Sequence, residues 1–578
     1  MAARSTGRRR PARRRGILRG RKSGTGGFDG RIRLLRFVFI VFLVVVGGKA
    51  VALASSSQNL TKIAQEQQVK EVILPAPRGA ILDRNGHELA VGKPQQTVYA
   101  TPYLLVDAAG AADELCDALQ INRRRKRRDV EKTLVRGKKN DLGFAYVARK
   151  VDPEFAKAAL ALGLPGVGSY EEEERTYPLK GTAAQVLGYA GMENKGLAGI
   201  ELLYDEELSG SAGSESIVRD PAGHSLKTVR QTEPVSGSDV RLTLDGEIQY
   251  YAEDVLRKTV RDSGAKSATS IVMDPRTGEV LAMANVTREG FHGFGKGDQF
   301  AEKNRAVTDG YEPGSIFKLV TISGALADGL VTPETKFTLP PSIHVADREI
   351  NESHPRGTVK YSVRQILQWS SNVGAVTIGR KMGKRGLAKW IDAFGFGKRT
   401  GIQFPGEFNG IVHPVKDWSE SSIGNIPMGQ GISVTPIQMA VAFSAVANNG
   451  WAVRPRLVAQ VGTTTYDGVV GKHRVIPGKV AREVRDMLAL AVAKGTGTKA
   501  RIPGYEVAGK TGTAEKAVPG GYAKGVYVAS FVGMVPADHP RLVVLVAVDG
   551  TARYGGVAAA PAVREIMRFA LQHLEIAP

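Results

Sequence analysis

The chain has 578 residues, 42% hydrophobic and 24% charged, which excludes a peptide or a stapled mini-domain and leaves room for about three to four units with large cores. A formal net charge of +22 suggests a nucleic-acid partner until it is placed along the chain. Residues 1–36 hold thirteen Lys and Arg against one acid, Asp29, so +12 of the excess lies in a short tail and +10 is spread over everything else.

That tail, residues 1–33, is rich in Arg, Gly and Ser; it cannot bury apolar surface and is expected to be disordered, with no nucleic acid as partner. Residues 34–54 follow as a membrane-anchor candidate. Phe37–Gly48 carries no charge, and Phe37–Ala54 carries one, Lys49, near its outer end. The basic flank is N-terminal, which predicts a cytoplasmic tail and a single-pass protein whose remainder works outside the cytoplasmic membrane. Ala52-Leu53-Ala54 before Ser55 also fits a signal-peptidase site, but the apolar stretch exceeds the usual core of a signal peptide and favours an uncleaved anchor. The single cysteine, Cys116, rules out an intrachain disulfide and reads as a small packed residue.

Residues 55–235 read as one extended unit. Ser55–Lys70 is polar and helical in pattern, a stalk. Pro75–Ala90 is extended chain with a turn at Asn85-Gly86. Asn122–Val130 contains the run RRRKRR, read as a solvated helix face that the acidic run Glu171–Glu174 could neutralise. Gly210–Val240, rich in Gly, Ser and Pro, looks like a boundary. From residue 236 to 578 the pattern changes. A helix is predicted from about Gly246, two strands joined at Arg276-Thr277-Gly278, and helices near Phe317–Asp328, Val363–Gly379 and Thr435–Asn448. The strands VYVASFVGMV and RLVVLVAVDG follow, and the helix PAVREIMRFALQHL closes the pattern. Strand pairs around a helical block predict an α+β fold, an antiparallel sheet flanked by helices.

Three short motifs stand in order in this last region. They are Ser315-Ile-Phe-Lys318 after Glu312-Pro-Gly, Ser370-Ser371-Asn372, and Lys510-Thr511-Gly512-Thr513, with gaps of 55 (370 − 315) and 138 (510 − 372) residues. S-x-x-K alone is uninformative, since Ser263-Gly-Ala-Lys266 also matches; order, spacing and context carry the reading. Ser and Lys three apart on a helix share a face, and Pro313-Gly314 places Ser315 near a helix start, where backbone N–H groups favour developing negative charge. A neutral Lys318 amine can take the serine proton if its pKa is depressed by burial and by a second cation such as Lys510. Ser370 can relay a proton, and Asn372 can donate to a substrate amide carbonyl. Lys510, Thr511 and Thr513 on a strand suit a substrate carboxylate, while Gly512 lets substrate backbone lie close. The backbone N–H groups of Ser315 and Thr513 are the oxyanion-hole candidates.

Gly504–Thr511 also satisfies G-x-x-x-x-G-K-[ST], but no apolar strand precedes it and Gly and Pro follow it, so a phosphate loop is not expected. None of the nine histidines stands in a G-x-S-x-G-type context; His354 and His413 read as loop residues. No H-E-x-x-H occurs, and neither metal nor cofactor is expected.

With these motifs the chain resembles the class B penicillin-binding proteins, and among them the division-specific, FtsI-type D,D-transpeptidases of actinobacterial kind. The resemblance extends over PAPRGAILDRNG, ERTYPL, QVLGYAG, GIELLYDEELSG, KNRAVTDGYEPGSIFK, SSNVG, IPMGQGISVTPIQMA, GKTGTAEK and YGGVAAAP. It implies a pedestal (dimerisation-like) domain and a penicillin-binding, serine β-lactamase-like transpeptidase domain. It also implies that Ser315 attacks the D-Ala–D-Ala bond of a peptidoglycan stem peptide, and that β-lactams acylate the same serine. The partners implied are an FtsW-type membrane glycosyltransferase and other division proteins, at the septum. An elongation or sporulation transpeptidase, a D,D-carboxypeptidase or β-lactamase, and a penicillin-binding sensor are the alternatives. The residue Ser371, where β-lactamases carry Asp, and the lack of a visible deacylating Glu weaken the β-lactamase.

Overall fold

The computed structural model describes residues 27–219, 225–466 and 468–578, with the backbone alone for 27–29, 53–73, 215–219 and 225–230. One unit comprises Met1–Val72 and Glu215–Gln231, the other Ile73–Ser214 and Thr232–Pro578. In the first, a single 42-residue helix runs Gly27–Gln68. Its stretch Gly30–Ala52, 23 residues with none of its window buried, is long and apolar enough to cross a bilayer. The helix continues without interruption through Ala52–Ser55 and over most of the expected stalk. The expected tail, apart from its last residues, lies outside the described residues. A three-stranded sheet joins Val69–Leu74, Gly213–Arg219 and Ser225–Thr232, so the segment read as a boundary is partly strand.

In the second unit, the strand Glu88–Ala100 organises the pedestal. It pairs antiparallel with Val167–Thr176 along its length, and also with Ala145–Val151 and Ile81–Leu82. The turn between Ile81 and Glu88 contains Gly86 at φ +88, where a left-handed residue is needed. Helices Ala108–Ala118, capped by Asp107, Arg124–Lys139 and Pro153–Ala161 cover this sheet with Leu115, Cys116, Leu134 and Ala156, which pack with Val147 of the strand Ala145–Val151. Cys116 is fully buried, and burial pushes its thiol pKa up, away from reactivity.

The basic run opens helix Arg124–Lys139 and points outward, while Val130, Leu134 and Gly137 face inward. The acidic run does not neutralise it. Glu172 pairs with Arg149, Glu173 accepts from the Arg78 backbone N–H at 2.8 Å, and Glu174 accepts from Gln95 at 3.1 Å. The acids beside the basic helix are Asp113 and Asp117 of the preceding helix, both on Arg127. Strand register decides this: pairing of Val167–Thr176 with Glu88–Ala100 places the glutamates over that sheet.

Three separate sequence segments meet in an ionic cluster around a buried glutamate. Arg78 donates from Nε to Glu201 Oε2 and from Nη1 to Asp205 Oδ1, both at 2.8 Å, and Arg175 Nε reaches Glu201 Oε1 at 2.7 Å. Glu201 is fully buried, and both guanidinium groups pair with its carboxylate. The pedestal sheet also crosses the expected boundary at 235. Val240–Leu242 lies parallel to Ile81–Leu82 and antiparallel to Val458–Val461, so residues deep in the C-terminal region complete it.

The C-terminal region is built on a five-stranded antiparallel sheet in the order Val280–Thr287, Ser267–Met273, Leu542–Thr551, Gly521–Val535, Ala508–Val518. Both faces are covered, which explains the near-continuous apolar reading of its inner strands. Val543 and Leu545 face one core with Phe443, Val484 and Leu488, and Val544 and Val546 face the other with Ile248, Val563 and Ile566. Helices Gly246–Ser263 and Gly555–His573 thus lie on one side, joined by Tyr251 stacked on Phe569 at 4.1 Å. On the other side lie Lys318–Ala327, Pro436–Ala447 and Gly478–Lys494. Thr435 and Gln438 form a capping box on the second of these, worth about 1 kcal/mol.

Two expected helices differ. The one predicted over Val363–Gly379 is two, Val363–Gln368 and Asn372–Ala393, broken at the second motif because Ser370 takes a left-handed φ of +59 and Ser371 caps the next helix. The last helix starts at Gly555, six residues before Pro561, which is tolerated inside it without its N–H bond. Arg78→Ala should lower stability by about 3–5 kcal/mol, because it removes one of the two guanidinium partners of the buried Glu201 carboxylate. Faster amide exchange over Gly196–Ser209 in the full-length protein would show it; unchanged protection would refute the role of this cluster.

Candidate active site

Ser315 stands in a turn of 3-10 helix, Gly314–Phe317, that runs directly into helix Lys318–Ala327. Three residues per turn bring Ser315 and Lys318 to one side more directly than an α-helix does. Ile316 and Phe317 are fully buried, Phe317 edge-on to Phe396 at 5.2 Å, which turns Ser315 toward a cleft. Gly314 has φ +56, and a Cβ there would come within 2.9 Å of the Thr513 carbonyl oxygen. The turn therefore lies against the third motif.

Lys318 is fully buried. Its Nζ donates to the Ser370 carbonyl at 2.6 Å, to Asn372 Oδ1 at 2.7 Å and to Ser370 Oγ at 3.3 Å. Lys510, also fully buried, reaches Ser370 Oγ from the other side at 2.8 Å. The Ser370 hydroxyl thus lies between two amines. Burial lowers the Lys318 pKa to about 7, against the opposing pull of Glu352. Lys510 is also held well below the usual lysine value, by burial and by the charge of Lys318. Burial, expected from the sequence, is the main cause of the Lys318 depression, and the two neighbouring amines disfavour each other's charge.

The third motif lies on Ala508–Val518, the edge strand of the sheet, whose outer backbone groups face no further strand among the described residues. Thr511 Oγ1 is 2.8 Å from Thr496 Oγ1, and Thr513 Oγ1 accepts from the Gly555 N–H at 3.1 Å. Gly512 is buried: a Cβ there would fall 2.3 Å from Ser530 Oγ and 2.9 Å from the Pro313 carbonyl oxygen. Its small size is needed for the strand to pack against the Ser315 turn. Asn372 Nδ2 donates to the Asn351 carbonyl at 3.0 Å.

Ser315, Ser370, Asn372, Thr511 and Thr513 line one cleft of about 680 Å³, with Lys318 and Lys510 beneath it. The same cleft is lined by residues that the sequence did not single out: Asn351, Gln430, Thr496, Tyr527 and Tyr554. His354, read as a loop residue, also lines it, edge-on to Tyr554 at 6.0 Å. Glu352, whose side chain is 7% exposed, lies behind the second motif; its place two residues before His354 carries no motif. Glu312 accepts from the Gly431 N–H and from the Tyr522 hydroxyl, each at 3.0 Å, and burial raises its pKa. A larger cavity of about 990 Å³ between Pro178–Gln185 and helix Gly246–Ser263 holds none of the three motifs. Gly504–Thr511 runs into a strand rather than a helix, and Ser263 ends a helix whose next residue, Gly264, is left-handed.

A helix-borne serine and lysine opposite a lysine-bearing edge strand is the arrangement of a serine acyltransferase of the penicillin-recognising kind. Residues 268–568 match the penicillin-binding protein transpeptidase domain and residues 73–242 the penicillin-binding protein dimerisation domain. Stage V sporulation protein D of Bacillus subtilis is 33% identical over 94% of this chain and 86% of its own length. Peptidoglycan D,D-transpeptidase FtsI of Escherichia coli is 30% identical over 94% and 91%. The crystal structure of penicillin-binding protein 3 from Mycobacterium tuberculosis complexed with aztreonam superposes with a TM-score of 0.69 at 29% identity, covering 88% of this chain and 98% of that one. The chain belongs to the class B penicillin-binding proteins.

Gly512→Ala should reduce covalent labelling by a fluorescent penicillin at least tenfold, by displacing the Ser315 turn from the strand. A labelling rate within twofold of the parent would show that the packing tolerates a methyl group.

Proposed function

We propose that this protein is a serine-type peptidoglycan D,D-transpeptidase, and that Ser315 forms the acyl-enzyme. The carrying observation is the convergence of the Lys318 and Lys510 amines on Ser370 beside a serine held at the start of a helix. A neutral Lys318 uses two N–H groups on the Ser370 carbonyl and Asn372 Oδ1, which leaves its lone pair for the Ser315 hydroxyl. Ser315 Oγ attacks the carbonyl of the D-Ala–D-Ala peptide bond as its proton passes to Lys318. The backbone N–H groups of Ser315 and Thr513 receive the oxyanion. Collapse breaks the C–N bond, and the leaving D-Ala amine takes a proton through Ser370 from the lysine pair. An amine of a second stem peptide then attacks the ester, makes the cross-link and restores the Ser315 hydroxyl.

Lys510, with the hydroxyls of Thr511 and Thr513, serves the terminal carboxylate of the donor. The edge strand gives the peptide backbone a partner, and Gly512 and Asn372 complete the peptide-binding wall. A β-lactam, with an amide carbonyl and a carboxylate in similar relation, acylates the same serine. A bound aztreonam in the mycobacterial relative supports this. The chemistry needs neither metal nor cofactor.

In the same reading the apolar helix anchors the chain once in the cytoplasmic membrane, with the basic N-terminus inside and the catalytic domain outside. The similarity to FtsI supports a septal role with an FtsW-type glycosyltransferase and other division proteins. The sporulation relative supports a second reading, in which the same chemistry serves the spore wall.

Ser315→Ala should abolish covalent penicillin labelling while leaving the fold intact; persistent labelling sinks the assignment. A fluorescent fusion in growing cells should concentrate at the division septum. A side-wall pattern, or a signal confined to sporulating cells, would replace the septal role with an elongation or sporulation one.

A further inference from the structure

The second motif rests on a carboxylate from outside it. Glu352 follows strand Arg348–Asn351 and accepts at both oxygens. Oε1 accepts from Ser371 Oγ at 2.5 Å and from Arg356 Nη2, and Oε2 accepts from the Asn372 backbone N–H at 2.8 Å. The neighbouring Asn351 carbonyl takes the Asn372 side-chain amide. Residues 351 and 352 therefore hold Asn372 by main chain and side chain together, and Asn372 in turn holds Lys318.

The turn needs such a clamp. Ser370 has φ +59, a conformation that costs a non-glycine residue about 1 kcal/mol or more. The Asn372 N–H opens helix Asn372–Ala393, so it has no partner within the helix, and an anion is favoured there. We propose that Glu352 is the positioning residue of this active site: it fixes the Ser370–Asn372 turn against Lys318 and supplies, from a separate loop, the carboxylate that an S-D-N motif carries within itself. The proposal rests on Ser315 and Lys318 being the acylating pair.

The identity of Ser371 follows from it. Its hydroxyl accepts the Gly374 N–H at 2.9 Å as helix cap and donates to Glu352. An aspartate could cap the helix but not donate, and would set two carboxylates against each other. Glu352 is not catalytic. Both its oxygens are occupied and it is absent from the cleft wall, so it activates no water. A site held this way differs from one with a hydrolytic carboxylate, which suits an acyl-enzyme that waits for an amine.

Electrostatics gives the readout. Lys318 faces Lys510 on the edge strand and Glu352 on the loop; Arg356 lies behind Glu352, and Arg348, Glu349 and His354 line the cleft. A negative charge keeps Lys318 protonated to higher pH, so removing it must move the onset of the neutral base to lower pH. The test is the second-order acylation rate constant of full-length protein in detergent with a fluorescent penicillin, followed over about pH 5 to 9. The parent rate should rise through about pH 7 as Lys318 loses its proton. Glu352→Gln should shift that rise to lower pH and drop the plateau about tenfold. Glu352→Asp should keep the parent's pH position with a lowered plateau. Ser371→Asp should be nearly inactive, and Ser371→Asp with Glu352→Gln should recover at least tenfold over it.

An unshifted rise together with a plateau within twofold of the parent in Glu352→Gln overturns the proposal. So does a double variant no better than Ser371→Asp. If Glu352→Gln does not fold, as judged by thermal melting, Glu352→Asp decides: a plateau equal to the parent's overturns the proposal. Ser315→Ala is run beside them. Labelling that persists there removes the underlying reading; silence there with an unshifted Glu352→Gln removes Glu352 alone.

Discussion

Two lysine amines meet at one serine hydroxyl with no exposure to water, and much of the catalytic region is arranged around that fact. Buried ammonium groups are disfavoured by desolvation, and two side by side are disfavoured again by repulsion. The structure meets this by giving Lys318 three oxygen acceptors and one facing anion, Glu352. An amine that loses its proton near neutrality is a base where an ordinary lysine is a cation.

Three elements with little in common in sequence must converge for this to happen. A 3-10 turn anchored by Ile316 and Phe317 delivers Ser315 and Lys318. The break between two helices delivers Ser370 and Asn372. The edge strand delivers Lys510. Close approach of turn and strand depends on Gly314 and Gly512, where any side chain would strike a carbonyl or a hydroxyl. The sheet behind them, packed on both faces, is rigid enough to hold the strand in place.

The pedestal is tied to this frame by backbone pairing. Val240–Leu242 stands between Ile81–Leu82 and Val458–Val461, so a short strand from each region shares one sheet. Strands of two to four residues have too little alternation to be seen in a sequence window, and their partners lie more than a hundred residues away. The boundary placed at residue 235 by composition could not show this. The acidic run illustrates the same limit: four glutamates suggested a partner for the basic run, but strand register sent three of them, Glu172, Glu173 and Glu174, to Arg149, Arg78 and Gln95.

The sequence by itself determined the elements whose pattern is local. These are the long apolar helix after a basic tail, the helix from Gly246, the hairpin at Gly278, the apolar strand pair, and the three motifs with their residue types. A residue's own chemistry and its neighbours within a turn or two suffice for those. Tertiary structure alone decided where the helix over Val363–Gly379 breaks and why Gly512 is glycine. It also decided that Glu352 and His354 stand at the site. Each of these depends on a group brought near from a distant segment, and burial, repulsion and hydrogen bonding between such groups leave no periodic trace in the chain.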